Sequence, residues 1–240
     1  MRPIQYTKLE WDSSFFGYPI GKLDDDAISH DSILNLIKEE HEKGTKLIYW
    51  FVNPSNHALL RLANQLKLQP VDIKVTFQKA PVEKKMVSNI SSLLHEEISP
   101  TILSLALQSG WQSRFKLDSN FINNEFERLY TTWIEKSLNG DLSIDVLGYN
   151  TNNEVQGLVT IENKGDSAAS IGLIAVDERA RGMKIGTKLM DASEQICYKK
   201  GIKNLSVATQ RSNKQACNFY ESLGYTLSDE VNIYHIWLKQ

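Results

Sequence analysis

The sequence predicts an α/β protein: a mixed central sheet flanked by helices, with a smaller α/β domain at the N-terminal end. Three observations carry this. Residues 142–176 hold three strand-like runs separated by turn pairs, the pattern of antiparallel hairpins. Residues 176–238 then read helix, strand, helix, strand, which sets helices against the faces of a sheet. A separate series of short alternating elements precedes residue 80. It ends in a stretch, 80–89, that contains a proline and a charge cluster.

The elements follow in order. Residues 18–23 read as a short strand after a turn at Gly17. In 30–44, Ile33, Leu34, Leu36 and Ile37 share one side and Gly44 closes the segment, so a helix is predicted. The apolar run 46–52 has the length of a buried strand. A helix over 56–67 and an alternating strand over 72–79 follow. The stretch 80–89 is the expected linker, dividing an N-terminal domain (1–85) from a larger one (86–240). Beyond it, 99–110 predicts a helix capped by Ser99 with Pro100 at its first position. A second helix covers 122–140, closed by Asn139-Gly140. Strands are predicted over 142–149, 154–163 and 168–176, with turns at Asn152-Asn153 and Gly165-Asp166. A helix from about Gly182 to Gly201, a strand over 203–209, a helix over 213–224 and a strand over 232–238 complete the chain.

Bulk composition narrows the function classes. The chain has 240 residues, 41% hydrophobic and 23% charged, with formal net charge −2. No global positive field favours nucleic acid or an acidic membrane. The two cysteines, Cys197 and Cys217, both fall in predicted helices and read as buried thiols of a reducing compartment. They have no metal-ligand spacing. No apolar run approaches a membrane span, and the N-terminus lacks the apolar region of a signal peptide. A cytoplasmic protein is expected, without metal.

Anion binding, if present, must be local, and residues 176–190 show where. Arg179, Arg181, Lys184 and Lys188 cluster where a strand ends and a helix begins. A helix N-terminus carries partial positive charge and unsatisfied N–H groups, so an empty site would repel them. A polyphosphate would hold them there. Gly182 and Gly186 would let backbone approach it. Neither the Walker pattern nor G-x-G-x-x-G is present. A solvated helix start screened by Asp177 and Glu178 is the plainer alternative.

The segment resembles the acyl-CoA pyrophosphate loop of the GNAT acetyltransferase superfamily, Arg/Gln-x-x-Gly-x-Gly/Ala. Arg181 and Gly186 match its outer positions, and Lys184 replaces the middle glycine. Residues 211–225 resemble the superfamily's Asn-x-x-Ala-x-x-x-Tyr-x-x-x-Gly-Phe/Tyr element through Asn213, Ala216, Tyr220, Gly224 and Tyr225. The resemblance covers roughly 86–240 and implies a GNAT fold. It also implies direct acetyl transfer from acetyl-CoA to an amine, with Tyr220 as the acid at the leaving sulfur. Leu173, Ile174, Val176, Arg181, Gly182, Lys184, Gly186, Thr187 and Asn213 then fall at CoA-contacting positions. Asn213 and Tyr220 stand about two helical turns apart, so both can face one ligand. The general base stays open among His235, Glu162 and a water chain.

A narrower resemblance concerns the acceptor. Residues 9–23, 112–140 and 205–213 are similar to TDP-fucosamine acetyltransferases, which acetylate a nucleotide-linked amino-deoxysugar. It implies a nucleotide-sugar substrate met by Arg114, Trp111 and Phe115, and a homodimer. Read as residues alone, Trp111 and Phe115 are equally packing aromatics and Arg114 a surface cation. A GNAT acting on a peptide or small amine, and a non-catalytic acyl-CoA-binding protein, are the competing readings. Finally, 48–68 shares the strand–turn–helix design of 207–225, with Asn56 at the place of Asn213 but Ala63 at that of Tyr220. The N-terminal domain is therefore a candidate degenerate half-copy of the fold.

Overall fold

The computed structural model describes residues 4–85, 88–151 and 154–238. The expected turn at Asn152-Asn153 lies outside them. In chain order the elements are β1 (Tyr6–Lys8), α1 (Glu10–Phe16), β2 (Ile20–Leu23), α2 (His30–Glu42), β3 (Leu47–Val52), α3 (His57–Gln65), β4 (Asp72–Lys79) and β5 (Ile90–Ser92). There follow α4 (Pro100–Ser109), α5 (Arg114–Leu117), α6 (Glu125–Leu138), β6 (Ser143–Thr151), β7 (Glu154–Asn163), β8 (Ala168–Val176), α7 (Ile185–Lys199), β9 (Asn204–Gln210), α8 (Lys214–Ser222) and β10 (Thr226–Trp237).

Two compact units divide the chain. One comprises residues 1–75 and 229–240, the other 76–228. The expected division after residue 85 placed the whole C-terminal strand in the larger domain. The first unit instead takes up the second half of β10. There Asn232–Trp237 run antiparallel to β3, whose Ile48, Trp50 and Val52 are almost fully buried. β2 pairs parallel to β3 and antiparallel to β1.

The second unit orders its strands β9-β8-β7-β6-β5. β8 and β9 are parallel, and the remaining pairs are antiparallel. Helices flank this mixed sheet. Gly157 in β7 has no room for a side chain against Ile185 and Leu189 of α7, so the helix lies close on the strand. Gly110, at the end of α4, gives the same close approach to Tyr130 of α6. Ser99 caps α4 by accepting from Ile102 N–H at 3.2 Å, with Pro100 at the first position, as its sequence predicts.

The expected linker is pinned rather than free. Lys84 N–H donates to Gln195 Oε1, and Lys84 Nζ lies 2.7 Å from Asp191 Oδ1, both on α7. Lys79 donates at 2.8 Å to Glu194 Oε1 and to Leu223 O, tying α7 to the end of α8.

Each unit contains the same local device. Asn56 (φ −84°, ψ 78°) caps α3 by accepting from Leu59 N–H. Asn213 (φ −78°, ψ 71°) caps α8 by accepting from Ala216 N–H. Both helices end on leucine followed by a left-handed residue, Lys67 in one case and Gly224 in the other. The helices before them, α2 and α7, both run into a left-handed glycine, Gly44 (φ 84°) and Gly201 (φ 73°).

Candidate active site

In the second unit the parallel ladder between β8 and β9 ends at Ile171–Val207. Beyond that point the strands part, and a cavity of about 580 Å³ opens between them. Residues 172–176 of β8 and 208–210 of β9 line it, together with the turn after β8, the first turn of α7 and one face of α8. A pair of strand edges released from their ladder presents backbone donors and acceptors at β spacing, which suits an extended chain carrying amides.

The loop between β8 and α7 explains the cations, though not all of them. Asp177 accepts from the backbone N–H of Arg179 at 2.9 Å and binds its guanidinium through both carboxylate oxygens, at 3.0 and 2.8 Å. Arg179 in turn holds the Asp177 carboxyl down at a pKa of about 2. Arg179 therefore serves the turn and is not among the residues that line the cavity. Lys188 donates to Tyr149 Oη at 3.1 Å and covers its ring at 4.8 Å, so it too is engaged elsewhere. Of the four cations expected to share one anion, Arg181 and Lys184 line the cavity and the other two do not.

Lys184 occupies the N-cap of α7 in the left-handed region (φ 58°, ψ 22°). This is the physical reason for glycine at that position of the motif: a Cβ there is strained by roughly 1–2 kcal/mol. A lysine also offers no acceptor. Ser29, Asn56, Ser99 and Asn213 each cap their helix with a side-chain oxygen, whereas α7 has no side-chain cap and its first turn lines the cavity. Its unsatisfied N–H groups, the helix dipole and two cations converge on one place. Gly182 is left-handed (φ 83°). A side chain at Gly186 would press on Phe219 at 3.2 Å, so that glycine also seats α7 against α8.

Tyr220 lies on α8, 4% exposed, among Phe77, Phe219 and Tyr225, and still lines the cavity. Burial pushes its pKa well above the ordinary tyrosine value, so the phenol keeps its proton at neutral pH. Asn213 lines the cavity as well, but its Oδ1 is spent on capping α8. Asn56 makes the same cap where no tyrosine follows. The asparagine of the motif is thus a structural cap that leaves its amide Nδ2 for a ligand. Leu173, Ile174, Val176 and Thr187 line the cavity as expected, but the Leu173 N–H already donates to Thr160 Oγ1 at 2.8 Å.

The acceptor residues divide. Trp111 is 45% exposed and lines the cavity. Phe115 is buried against Phe121 and Trp133 and does not line it. Its aromatic neighbours sit on α6 and the preceding loop, so packing claims it. Arg114 lies on α5 with its guanidinium 4.3 Å from the Phe115 ring centre, also outside the lining. Gln108, Ser109, Gln112 and Tyr130 line the cavity instead. A sequence signal existed for the first two: they end the predicted helix that Trp111 follows in the next turn. His235 is buried in the first unit, its ring beside those of Tyr49 and Trp237, and is not among the residues that line the cavity. Both cysteines are free and buried, and burial raises the Cys197 pKa to about 11. Among the described residues no acidic, histidine or cysteine cluster is placed to hold a metal ion, and no helix is long and apolar enough to cross a membrane.

Residues 111–225, which include the cavity's loop and both motifs, match the acetyltransferase (GNAT) family. The chain has the GNAT fold. Among solved structures it is similar to a GCN5-related N-acetyltransferase from Sphaerobacter thermophilus (12% identity, 98% of this chain and 76% of that one, TM-score 0.63). It is also similar to a tandem GNAT protein of the clavulanic acid biosynthesis pathway (12% identity, 93% and 77%, TM-score 0.56). A curated relative, the uncharacterized protein YxbD of Bacillus subtilis (strain 168), is 35% identical over 78 residues. The match spans 32% of this chain and 47% of YxbD, about half that relative's length.

Proposed function

We propose that the protein is an acetyl-CoA-dependent N-acetyltransferase. One observation carries the reading: the parted β8–β9 edges, the uncapped cationic start of α7 and Tyr220 all face a single cavity. In this reading the pyrophosphate of CoA rests on the α7 N-terminus with Arg181 and Lys184. The pantetheine arm extends between the strands. The thioester lies beside Tyr220. The raised pKa of Tyr220 makes complete proton transfer to a thiolate of ordinary pKa, about 8.5, uphill. Tyr220 therefore acts first through a hydrogen bond to the sulfur as negative charge develops, and releases its proton as the thiol is formed.

The acceptor in this reading is the amine of a nucleotide-linked amino-deoxysugar. Trp111 supports it by offering an exposed ring for base or sugar, and Gln108 supports it with a buried Oε1 that has no protein partner. One observation favours a second acceptor class. The lining cations, Arg181 and Lys184, belong to the CoA loop, so a second diphosphate would have no cation of its own among the described lining residues. A small amine without phosphates fits that wall.

The N-terminal unit is, in the same proposal, a half-copy of the fold kept as a scaffold. It repeats the caps of α3 and α8, yet Ala63 stands for Tyr220, and Asp24, Asp25 and Asp26 precede α2 where cations precede α7. One acetyl-CoA per chain is then expected, and the resemblance also carries a homodimer.

Calorimetry with acetyl-CoA, followed by free-thiol release with TDP-fucosamine, spermidine and a lysine-containing peptide, tests the reading. Binding at one site with release on TDP-fucosamine is expected. Release on spermidine alone selects the second acceptor class. Binding with no release on any amine would leave an acyl-CoA-binding protein and refute the enzyme.

A further inference from the structure

Resting on the acetyltransferase reading, we propose that Glu162 is the group that takes the proton from the acceptor amine. No Asp, Glu or His is found among the described residues lining the cavity. The carboxylate has to be sought one layer behind the wall, and the wall has an opening. β7 and β8 change register between Val159–Ile174 and Ile161–Ile171, so Thr160 stands at an irregularity facing Gly172 and Leu173. Such a bulge re-aims side chains beside it. Thr160 is fully buried, and its Oγ1 fastens the Leu173 N–H.

Gly172 is exposed and lines the cavity. A side chain there would land on Glu162 Oε1. The carboxylate therefore fills the space that the glycine leaves open, at the cavity wall. Its other oxygen, Oε2, is 2.7 Å from Lys164 Nζ, the charged group paired with it. That pairing holds the side chain across the strand and leaves Oε1 toward Gly172. The Glu162 side chain is 24% exposed, so it can exchange the proton with solvent.

The step balances. The acceptor ammonium gives one proton to Glu162 Oε1. The freed lone pair forms the N–C bond to the thioester carbonyl carbon, and the nitrogen then sheds a second proton to solvent. The C–S bond breaks with its electron pair on sulfur, which takes the phenolic proton of Tyr220. Solvent restores Tyr220, and Glu162 returns its proton to solvent. The products are the N-acetyl amine, CoA thiol and one net proton.

The experiment compares wild type, Glu162→Gln and Glu162→Asp by acetyl-CoA calorimetry and by kcat/KM between about pH 6 and pH 9, with TDP-fucosamine and in parallel spermidine. Glu162→Gln should bind acetyl-CoA like wild type and lose about 100-fold in kcat/KM near neutral pH. The loss should shrink as pH rises toward the amine pKa, because more acceptor arrives already neutral. Glu162→Asp should recover part of the rate. Gly172→Ala, which displaces the carboxylate, should show the same pH-dependent loss. An unchanged rate in Glu162→Gln overturns the proposal. So does a loss that is uniform across pH, or one accompanied by lost acetyl-CoA binding, since either marks a structural role. A wild-type protein that binds no acetyl-CoA would instead remove the acetyltransferase reading itself.

Discussion

Replacing Lys184 by glycine should make the protein more stable and its CoA binding weaker, and the two effects have separate origins. Lys184 sits at φ 58° and ψ 22°, where a side chain costs roughly 1–2 kcal/mol. Glycine removes that strain but adds about 0.4–1 kcal/mol of chain entropy to the unfolded state. The net gain is about 0.5–1 kcal/mol. For a chain of this size that raises Tm by about 1–4 °C, measurable by calorimetric melting. The lost ammonium acts on the other equilibrium. An exposed cation about 4 Å from a phosphate is worth about 1 kcal/mol in water, so the Kd for acetyl-CoA should rise about five-fold at low salt. Near 1 M salt the Debye length falls to about 3 Å and the difference should vanish. Acetyl-pantetheine, which lacks the pyrophosphate, should bind both proteins alike. Lys184→Asn, uncharged but tolerant of the left-handed region, should weaken binding to a similar extent. A lower Tm for Lys184→Gly would refute the strain assignment, and a Kd ratio that does not change with salt would refute the electrostatic one.

Three further outcomes follow from other parts of the structure. Tyr220→Phe should lower kcat by about 10²–10⁴ in the thiol-release assay and leave acetyl-CoA affinity within about two-fold; near-normal turnover removes the tyrosine from the chemistry. Lys79→Met should destabilise the protein by about 3 kcal/mol in urea unfolding, because it leaves Glu194, 1% exposed, buried without its cation. Adding Glu194→Leu to that variant should restore much of the loss. Glu40→Gln should cost about 1–3 kcal/mol at neutral pH, since Glu40 accepts from Tyr6 at 2.7 Å and Thr45 at 2.8 Å and pairs with Lys43. Burial pushes the Glu40 pKa up, but these three partners together take it below the ordinary glutamate value. A depressed carboxyl stabilises the fold above the unfolded pKa and loses that contribution as pH falls through the folded one. The gap between wild type and Glu40→Gln in thermal melts should therefore close in acid; a gap that widens there contradicts the assigned network.

Periodicity located the long elements well, apart from the first six residues of β10, because each shows an apolar pattern over enough residues for its period to repeat. β4, β7 and β8 begin and end where their alternation does. The elements it missed are short. β1, β5 and α5 have only three or four residues, too few for a period to repeat. α1 was hidden in the aromatic phrase before Gly17, although that glycine, left-handed at φ 82°, closes the helix. The site shows the same division. Arg181, Lys184, Asn213 and Tyr220 were legible because motif spacing places them on one loop and one helix. Arg114 and Phe115 stand within four residues of Trp111 in sequence, but they belong to α5 whereas Trp111 lies in the turn before it, and only Trp111 lines the cavity.

Taken alone, the sequence determined the order of strands and helices, the cation loop and the position of the buried tyrosine, since all of these are set by residues near one another along the chain. Tertiary structure alone decided that Lys188 is engaged by Tyr149, 39 residues away along the chain. It also decided that β8 and β9 part beyond Ile171–Val207, that Glu162 lies across the strand from Gly172, and that the last strand completes the N-terminal unit. These are contacts between different elements. Their geometry depends on how whole elements pack, and no local pattern of residue types encodes it.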